Sequence, residues 1–264
     1  MKKLVILFTG LSLIISSCTS EDGAESGDTS VLPKTISYKY PNIYLGTNTT
    51  SRLTYNGNKI VNSIDEDSKT VFTYTGDLIT KQEVFDVDQQ GKETKADEAV
   101  YTYENGKLKN RIFKEGITSK YPDGQYILKT IYNHTSNESI SYINYKVDKD
   151  SKAEIKSSEG NLTYKNGNLI KEQITSNSVT VTRDYDYDAK NNSLRNVTGF
   201  SLLLNEISEI GRNNIVKTTF KSSEHSNTAI YLTSYIYNDK DYPTRFTSYD
   251  SSGVSIEYEI EYTY

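Results

Sequence analysis

The sequence predicts an all-β protein: an antiparallel meander of repeated hairpins that forms a curled sheet or open barrel, with one short helix near residues 198–208. Three observations predict this class. The 264 residues include 23 Tyr and 7 Phe but no Trp and only 4 Pro, and tyrosine favours half-buried strands whose hydroxyls reach water. A short unit with two tyrosines and a glycine-containing turn recurs along the chain, and long segments alternate between apolar and polar residues.

The beginning of the chain carries the pattern of an export signal. Lys2 and Lys3 precede an apolar run over residues 4–15, which is shorter than the ~20 residues of a membrane-spanning helix. Small residues then lead to Cys18, the only cysteine in the sequence, so no disulfide framework can form. We predict a signal peptide over residues 1–17 with Cys18 as a lipidation site; the alternative is an ordinary secretory signal with a chance cysteine.

The chain that remains after this signal is acidic. Without Lys2 and Lys3 it keeps 28 basic against 35 acidic residues, a formal charge of −7. Nucleic acid needs clustered Lys and Arg, so it is not a predicted partner. Residues 18–33 are acidic and have little to bury, which predicts a disordered tether behind the lipidated cysteine. Residues 34–264 are predicted to form a single repeat-built β domain, with no cofactor.

The repeat is clearest at residues 101–109. Tyr101 and Tyr103 share one strand face, and Asn105 and Gly106 follow them. Asn-Gly between alternating segments is the strongest short-range hairpin signal, because both residues tolerate positive φ. Related units start at residues 53, 72, 162, 185, 235 and 262, with degenerate copies expected near residues 131–133 and 213–215. Such repetition predicts hairpins added one after another, with the tyrosines as inner-face contacts.

The alternation of apolar and polar residues supports the predicted strands, and residues 197–207 depart from it. Over residues 254–264 the even positions are apolar or tyrosine and the odd ones are polar, as in an antiparallel sheet with one buried and one wet face. Residues 197–207 instead have apolar side chains at 200, 203, 204 and 207. This spacing predicts a short helix over one opening or face of the sheet, with a buried strand as the alternative.

Two parts of the N-terminal region resemble lipoprotein signals. The residues before Cys18 resemble the lipobox of bacterial lipoproteins, which implies cleavage before Cys18 and lipid attachment to it. The acidic residues that follow resemble the export signal of surface lipoproteins in the Bacteroidetes; a plain solvated spacer is the alternative. These resemblances imply an outer-membrane, lipid-anchored protein on the cell surface or the periplasmic face.

The Tyr-x-Tyr-x-x-Gly-x-Leu units resemble the YD-type repeats of the Rhs and teneurin kind, which build long curled β-sheets. The chain as a whole resembles Bacteroidetes lipoproteins built from such repeats, whose domain is described as porin-like. Residues 191–200, 213–216 and 242–244 also carry this resemblance. It brings no catalytic or ligand residues. A membrane barrel needs an apolar outer band, and the faces opposite the tyrosines carry Thr, Lys, Glu and Asp, so we expect a barrel or sheet that stands in water.

Few residues stand out as candidates for metal binding, catalysis or ligand binding. Asp86, Asp88 and Asp97 partly match a calcium loop, with Gly91 to make the turn, although a solvated hairpin loop is the favoured alternative. His134 and His225, in polar contexts, are predicted to lie in surface turns. Tyrosine stripes could stack on sugars, but core or sheet surface accounts for them better.

We therefore predict a lipid-anchored envelope protein that acts as a non-enzymatic binding or structural module. The membrane is its partner through the lipid, and an envelope protein or a glycan is a further candidate partner. The alternative is a glycan-acting hydrolase using paired carboxylates, although nothing in the sequence selects two of the 35 acidic residues. Any site is expected where the repeat fails, around residues 86–97 or 191–211.

Overall fold

The computed structural model describes residues 31–206 and 211–264. Within these ranges sixteen strands run antiparallel, each paired with its neighbours in the chain, and β1 also pairs with β16. The strands are β1 (Thr35–Lys39), β2 (Thr49–Asn56), β3 (Lys59–Ile64), β4 (Ser68–Thr75), β5 (Leu78–Val87), β6 (Glu93–Glu104), β7 (Lys107–Glu115), β8 (Tyr126–His134), β9 (Ser139–Val147), β10 (Glu154–Lys165), β11 (Asn168–Ser176), β12 (Val179–Tyr187), β13 (Ile215–Ser222), β14 (His225–Tyr237), β15 (Pro243–Tyr249) and β16 (Ile256–Thr263).

The ring of strands is closed. Thr35 of β1 lies opposite Thr263 of β16, and the pairing continues to Lys39 opposite Glu259. The first strand therefore covers the edge that the last strand would otherwise expose, and an uncovered edge invites pairing with other chains. The prediction of an all-β antiparallel meander is confirmed, and the sheet is a closed barrel rather than a curled or open one.

The barrel has two unlike ends. At the turn end, hairpins β2–β3, β4–β5, β6–β7 and β10–β11 reverse through two residues. Asn105 and Gly106 have φ values of 52° and 73°, the left-handed region that a type I′ turn needs. At the opposite end, the loop end, the connections β1–β2, β7–β8, β9–β10 and β15–β16 are longer. The hairpin predicted at Asn105 and Gly106 is confirmed.

Tyrosine hydroxyls tie neighbouring hairpins together inside the barrel. Tyr103 Oη donates to the Ile79 carbonyl, 2.8 Å away and just past the preceding turn. Tyr187 makes the same bond to the Leu169 carbonyl at 2.7 Å. Equivalent bonds run from Tyr55 to Pro33, from Tyr235 to Ile215 and from Tyr264 to Pro243. The repeat tyrosines are thus inner-face contacts, as predicted, and each bond contributes about 1 kcal/mol.

His134 takes the tyrosine position in the degenerate unit on β8. Its Nε2 lies 2.7 Å from the Leu108 carbonyl, just past the β6–β7 turn. A carbonyl only accepts, so Nε2 carries a proton, and Nδ1 is buried without a partner. The prediction that His134 lies in a surface turn was wrong, because the repeat runs through it. His225 is exposed at the start of β14.

We expect His134 to make the free energy of unfolding fall as the pH drops from 7.5 to 5.5. Burial lowers the pKa of the His134 imidazole, and Lys107 and Lys109 add to this, while the Leu108 carbonyl opposes it. Below the ordinary histidine pKa of about 6.5 the unfolded chain therefore binds more protons, so stability present above that pH is lost below it.

Urea unfolding of the wild type and of His134→Tyr at both pH values checks this. The variant restores the tyrosine of the repeat and is expected to show the smaller pH dependence. His225→Tyr, at an exposed position, serves as the control. An equal change in the two variants would contradict the assignment.

The outer wall of the barrel carries cross-strand ion pairs. Lys95 Nζ lies 2.7 Å from Glu83 and also contacts Glu98. Lys221 on β13 lies 3.2 Å from Asp184 on β12. Further pairs are Lys69–Glu93, Lys129–Glu154, Lys217–Asp186 and Arg245–Glu259. The prediction that the face opposite the tyrosines is polar is confirmed. Each exposed pair contributes only about 0–1 kcal/mol to the free energy of unfolding, so the pairs bear on the environment of the outer wall more than on its stability.

The helix predicted near residues 198–208 is two short 3-10 turns, Phe200–Leu202 and Leu204–Glu206. Leu204 has a φ of 55°, and Asn205 is non-helical, so the two turns do not merge. Residues 207 and 208 lie outside the described residues. The apolar spacing predicted burial correctly but a continuous helix wrongly. No helix in the described ranges is long and apolar enough to cross a membrane.

Candidate functional site

The connection between β12 and β13 fills the inside of the barrel near the turn end. We call residues 188–214 the plug; residues 207–210 within it lie outside the described residues. Its apolar side chains join the main core, and Phe200 packs with its ring centroid 5.7 Å from that of Phe72 on β4. The buried apolar residues of the plug are Leu194, Val197, Phe200, Leu203 and Leu204. The plug therefore packs inside the barrel against the inner face of the sheet; the sequence predicted a segment over one opening or face of the sheet.

Backbone contacts fix the middle of the plug to the hairpin turns. The Thr198 amide donates to the Asn58 carbonyl at 2.9 Å, and Tyr74 Oη donates to the Thr198 carbonyl at 3.0 Å. Gly199 has a φ of 82°, and a Cβ there would lie 2.8 Å from the Asp77 carbonyl oxygen. Only glycine fits this close approach, so the turns of β2–β3 and β4–β5 hold the plug directly.

Asparagine and aspartate side chains fix the two ends of the plug. Asn168 Oδ1, at the start of β11, accepts from the amides of Arg212 and Asn213 at 2.8 and 3.1 Å. Asp188 Oδ1 accepts from the Asn214 amide at 3.0 Å. These bonds satisfy loop amides that would otherwise be buried without partners.

The N-terminal segment meets the plug at the turn end. Asn196 Nδ2 donates to the Val31 carbonyl at 3.1 Å and to Tyr242 Oη at 2.8 Å. Val31 and Pro33 are buried, although the sequence had assigned them to the disordered tether; their apolar side chains pack on the barrel. Cys18 and the rest of the tether lie outside the described residues.

A buried ion pair locks the Leu204–Glu206 turn of the plug to the barrel wall. Arg111 Nε on β7 lies 2.7 Å from Glu206 Oε2, a close ionic contact between two side chains that are 10% and 6% exposed. Tyr132 Oη contacts Glu206 Oε1 and lies 3.0 Å from Asn205 Oδ1. Burial raises the pKa of the Glu206 carboxyl, while Arg111 and the Tyr132 hydroxyl act to lower it.

The polar cluster continues to a second carboxylate through Asn205. Its Nδ2 donates to Glu172 Oε1 at 3.0 Å. Tyr142 Oη donates to the same oxygen at 3.1 Å, and Arg183 donates to Glu172 Oε2, also at 3.1 Å. Each carboxylate in the cluster is therefore matched by one guanidinium. Burying a charge is costly unless it is paired in this way, so the cluster keeps both carboxylates paired and fixed in position.

Sequence reasoning located the plug region but missed the cluster. Glu206 lies within residues 191–211, where a site was expected. Arg111, Glu172 and Arg183 went unrecognised, because their meeting depends on strand register around the barrel. One signal was available: Arg183 stands at an inner-face position of a strand that otherwise alternates with Val and Tyr.

The three predicted calcium ligands lie on different elements: Asp86 on β5, Asp97 on β6 and Asp88 in the turn between them. Asp88 Oδ1 caps the β5–β6 turn by accepting from the amides of Gln90 and Lys92, both at 2.9 Å. Asp97 is buried on β6 and accepts from the Gly116 amide at 2.9 Å, and burial raises the pKa of its carboxyl. Asp86 is exposed on β5. The described residues contain no group of three or more His, Cys, Asp or Glu that could hold a metal ion.

One small cavity lies beside the plug. It measures about 40 Å³ and is bordered by Phe72, Gln82, Leu194 and Phe200 together with residues of β1 to β3. Ligand sites in proteins usually measure about 300–1,000 Å³. This cavity can hold ordered water but is too small for a sugar or a peptide.

Comparison with known proteins supports the architecture. No protein-family model and no curated protein matches the chain. Two of the similar solved structures are porin-like proteins from Bacteroides. A porin-like protein from Bacteroides vulgatus ATCC 8482 is 13% identical, with a TM-score of 0.58 over 89% of this chain and 98% of that one. A porin-like protein from Bacteroides uniformis ATCC 8492 is 9% identical, with a TM-score of 0.51 over 88% and 97%.

The chain shares the fold of these porin-like barrels. At such identities the likeness concerns the fold alone. It agrees with the porin-like description that the sequence resemblance carried.

Proposed function

We propose that this protein is a lipid-anchored protein of the outer membrane whose barrel stands in water beside the bilayer and serves as a non-enzymatic binding or structural module. The ion-paired outer wall carries this proposal. A barrel in a bilayer presents apolar residues to lipid, and one Lys or Arg facing the bilayer midplane costs about 2–4 kcal/mol. Here pairs such as Lys95–Glu83 and Lys221–Asp184 lie on several strands around the wall.

The interior supports a module rather than a channel. Membrane channels of the porin kind have a polar, water-filled lumen. Around the plug the inner face of this barrel is lined by core residues, and the plug packs Phe200, Leu203 and Leu204 against them. The porin-like proteins of similar fold therefore suggest the architecture, and the plug argues against a pore.

The contacts of the N-terminal segment suggest an orientation. Cys18 is thirteen residues before Val31, which can span at most about 45 Å of extended chain. Val31 meets the plug at the turn end, so a lipid on Cys18 draws this end toward the membrane. The loop end then faces away, and it carries exposed Tyr44, Tyr126 and Ile155.

The hydrolase alternative receives less support. The interior brings two carboxylates, Glu172 and Glu206, into one cluster, but Arg183 and Arg111 neutralise them. Glu206 faces the protein interior at 6% exposure. A catalytic acid or nucleophile must reach a substrate, so a structural role for the cluster is the better account.

Metabolic labelling tests the anchor. Cells that express the full chain with an alkyne-tagged palmitate analogue are expected to label the wild type and to leave Cys18→Ser unlabelled, because Cys18 is the only thiol in the sequence. Ser20→Ala, two residues further on, is the control and should label normally. Label that persists in Cys18→Ser would refute lipidation at this residue.

A further inference from the structure

The hairpin of β13 and β14 is irregular at the loop end. Phe220 pairs with Ala229, but two residues later Ser222 pairs with His225, so β14 contains two extra residues between these pairs. Bulges of this kind bend a strand and redirect its side chains, and they occur often beside binding sites. A pocket lies at this irregular part of the hairpin.

The pocket measures about 530 Å³. This volume lies within the range of about 300–1,000 Å³ that is usual for ligand sites. Two aromatic residues and several short polar ones line it. The side chains that matter for recognition are Phe220, Glu224, His225, Asn227, Thr228 and Tyr231.

Tyr231 differs from the tyrosines of the inner face elsewhere. It pairs with Thr218 on β13 and so shares the inner face, yet it is 39% exposed, whereas Tyr101 is 3% and Tyr132 is 1% exposed. Nearby, the Arg183 guanidinium lies 5.7 Å from the ring centroid of Phe220 and steadies that ring. The pocket therefore has one solvent-exposed aromatic ring, that of Tyr231, beside the Phe220 ring that Arg183 holds in place.

We propose that this pocket binds a neutral carbohydrate. An open tyrosine ring can stack on the apolar face of a sugar, and hydroxyl, amide, imidazole and carboxylate groups supply both donors and acceptors for sugar hydroxyls. No Lys or Arg is among the residues that line the pocket, and Glu224 places a carboxylate there. Arg183 lies behind Phe220 and is paired with Glu172, so the pocket offers an anion no free cation among its lining residues, and a neutral sugar is the matching class.

This inference rests on the proposed function, because a module with its loop end directed away from the membrane presents the pocket to glycans outside. The two can fail separately. Lipid labelling at Cys18 does not depend on the pocket, and sugar binding by purified protein does not depend on the lipid.

The test uses the full-length protein purified in detergent, with saturation-transfer NMR and calorimetry. The probes are neutral hexasaccharides of glucose, mannose, galactose and xylose in α and β linkages, and an acidic oligogalacturonate. We expect at least one neutral probe to bind and the acidic probe not to bind. Tyr231→Ala is expected to weaken that binding at least about tenfold, because it removes the stacking ring, and Asn227→Ala to weaken it several-fold.

Tyr126→Ala removes another exposed tyrosine of the loop end, on β8, and should leave binding unchanged. Circular dichroism establishes that each variant is folded. The proposal is overturned if no neutral probe binds, if only the acidic probe binds, or if Tyr231→Ala binds like Tyr126→Ala.

Discussion

Glu206→Gln is expected to lower the free energy of unfolding by about 3–5 kcal/mol. The substitution keeps the shape of the side chain but removes its charge, which leaves the Arg111 guanidinium buried without a counter-charge. The Leu204–Glu206 turn of the plug is held to β7 and β8 by this contact and by Tyr132. Chemical unfolding followed by far-ultraviolet circular dichroism measures the loss.

Two further variants test whether the loss comes from the buried pair. Asp184→Asn breaks the exposed pair with Lys221 and is expected to cost no more than about 1 kcal/mol. The double variant Arg111→Met with Glu206→Leu removes both charges and is expected to cost less than Glu206→Gln alone. A loss in Glu206→Gln as small as that in Asp184→Asn would mean that the pair does not lock the plug.

Phe200→Ala is expected to lower the free energy of unfolding by about 3–5 kcal/mol as well, because it empties a site in the packed interior. Phe200 is buried against Phe72 and borders the small cavity already present, so the substitution enlarges that cavity, and the loss of stability grows with cavity volume. Tyr44→Ala removes an aromatic ring that is 91% exposed and is expected to change stability by less than about 0.5 kcal/mol. Thermal and urea unfolding compare the two, and equal losses would contradict a packed plug.

The strands and turns of this protein were predictable because they follow local rules. The Asn-Gly pairs at residues 105–106 and 166–167 set positive φ values that only a few residues accept. The period of two along β16 assigns Ile260 to the core and Glu259 to the wall without reference to any other strand. The same rule predicted a charged exterior, and lysines on β13 pair with Asp184 and Asp186 across the strands.

The plug and its polar cluster depend on distant contacts, which explains why the sequence did not predict them. The apolar spacing at residues 200, 203 and 204 indicated burial but carried no information on which side of the sheet the segment runs. Arg111 and Glu206 are separated by more than ninety residues and meet only when the barrel closes. His134 was assigned to a turn because its neighbours are polar, and its role emerged only from the Leu108 carbonyl it contacts.

Detergent-free extraction tests the water-facing barrel most directly. Residues 1–18 are replaced by a secretory signal that is cleaved without lipidation, and cell envelopes are washed with carbonate. We predict that the barrel then appears in the aqueous fraction with an unchanged β-sheet circular dichroism spectrum, because its wall of ion pairs needs no lipid. A folded barrel that stays in the membrane fraction until detergent is added would contradict this structure of the outer wall and the function proposed from it.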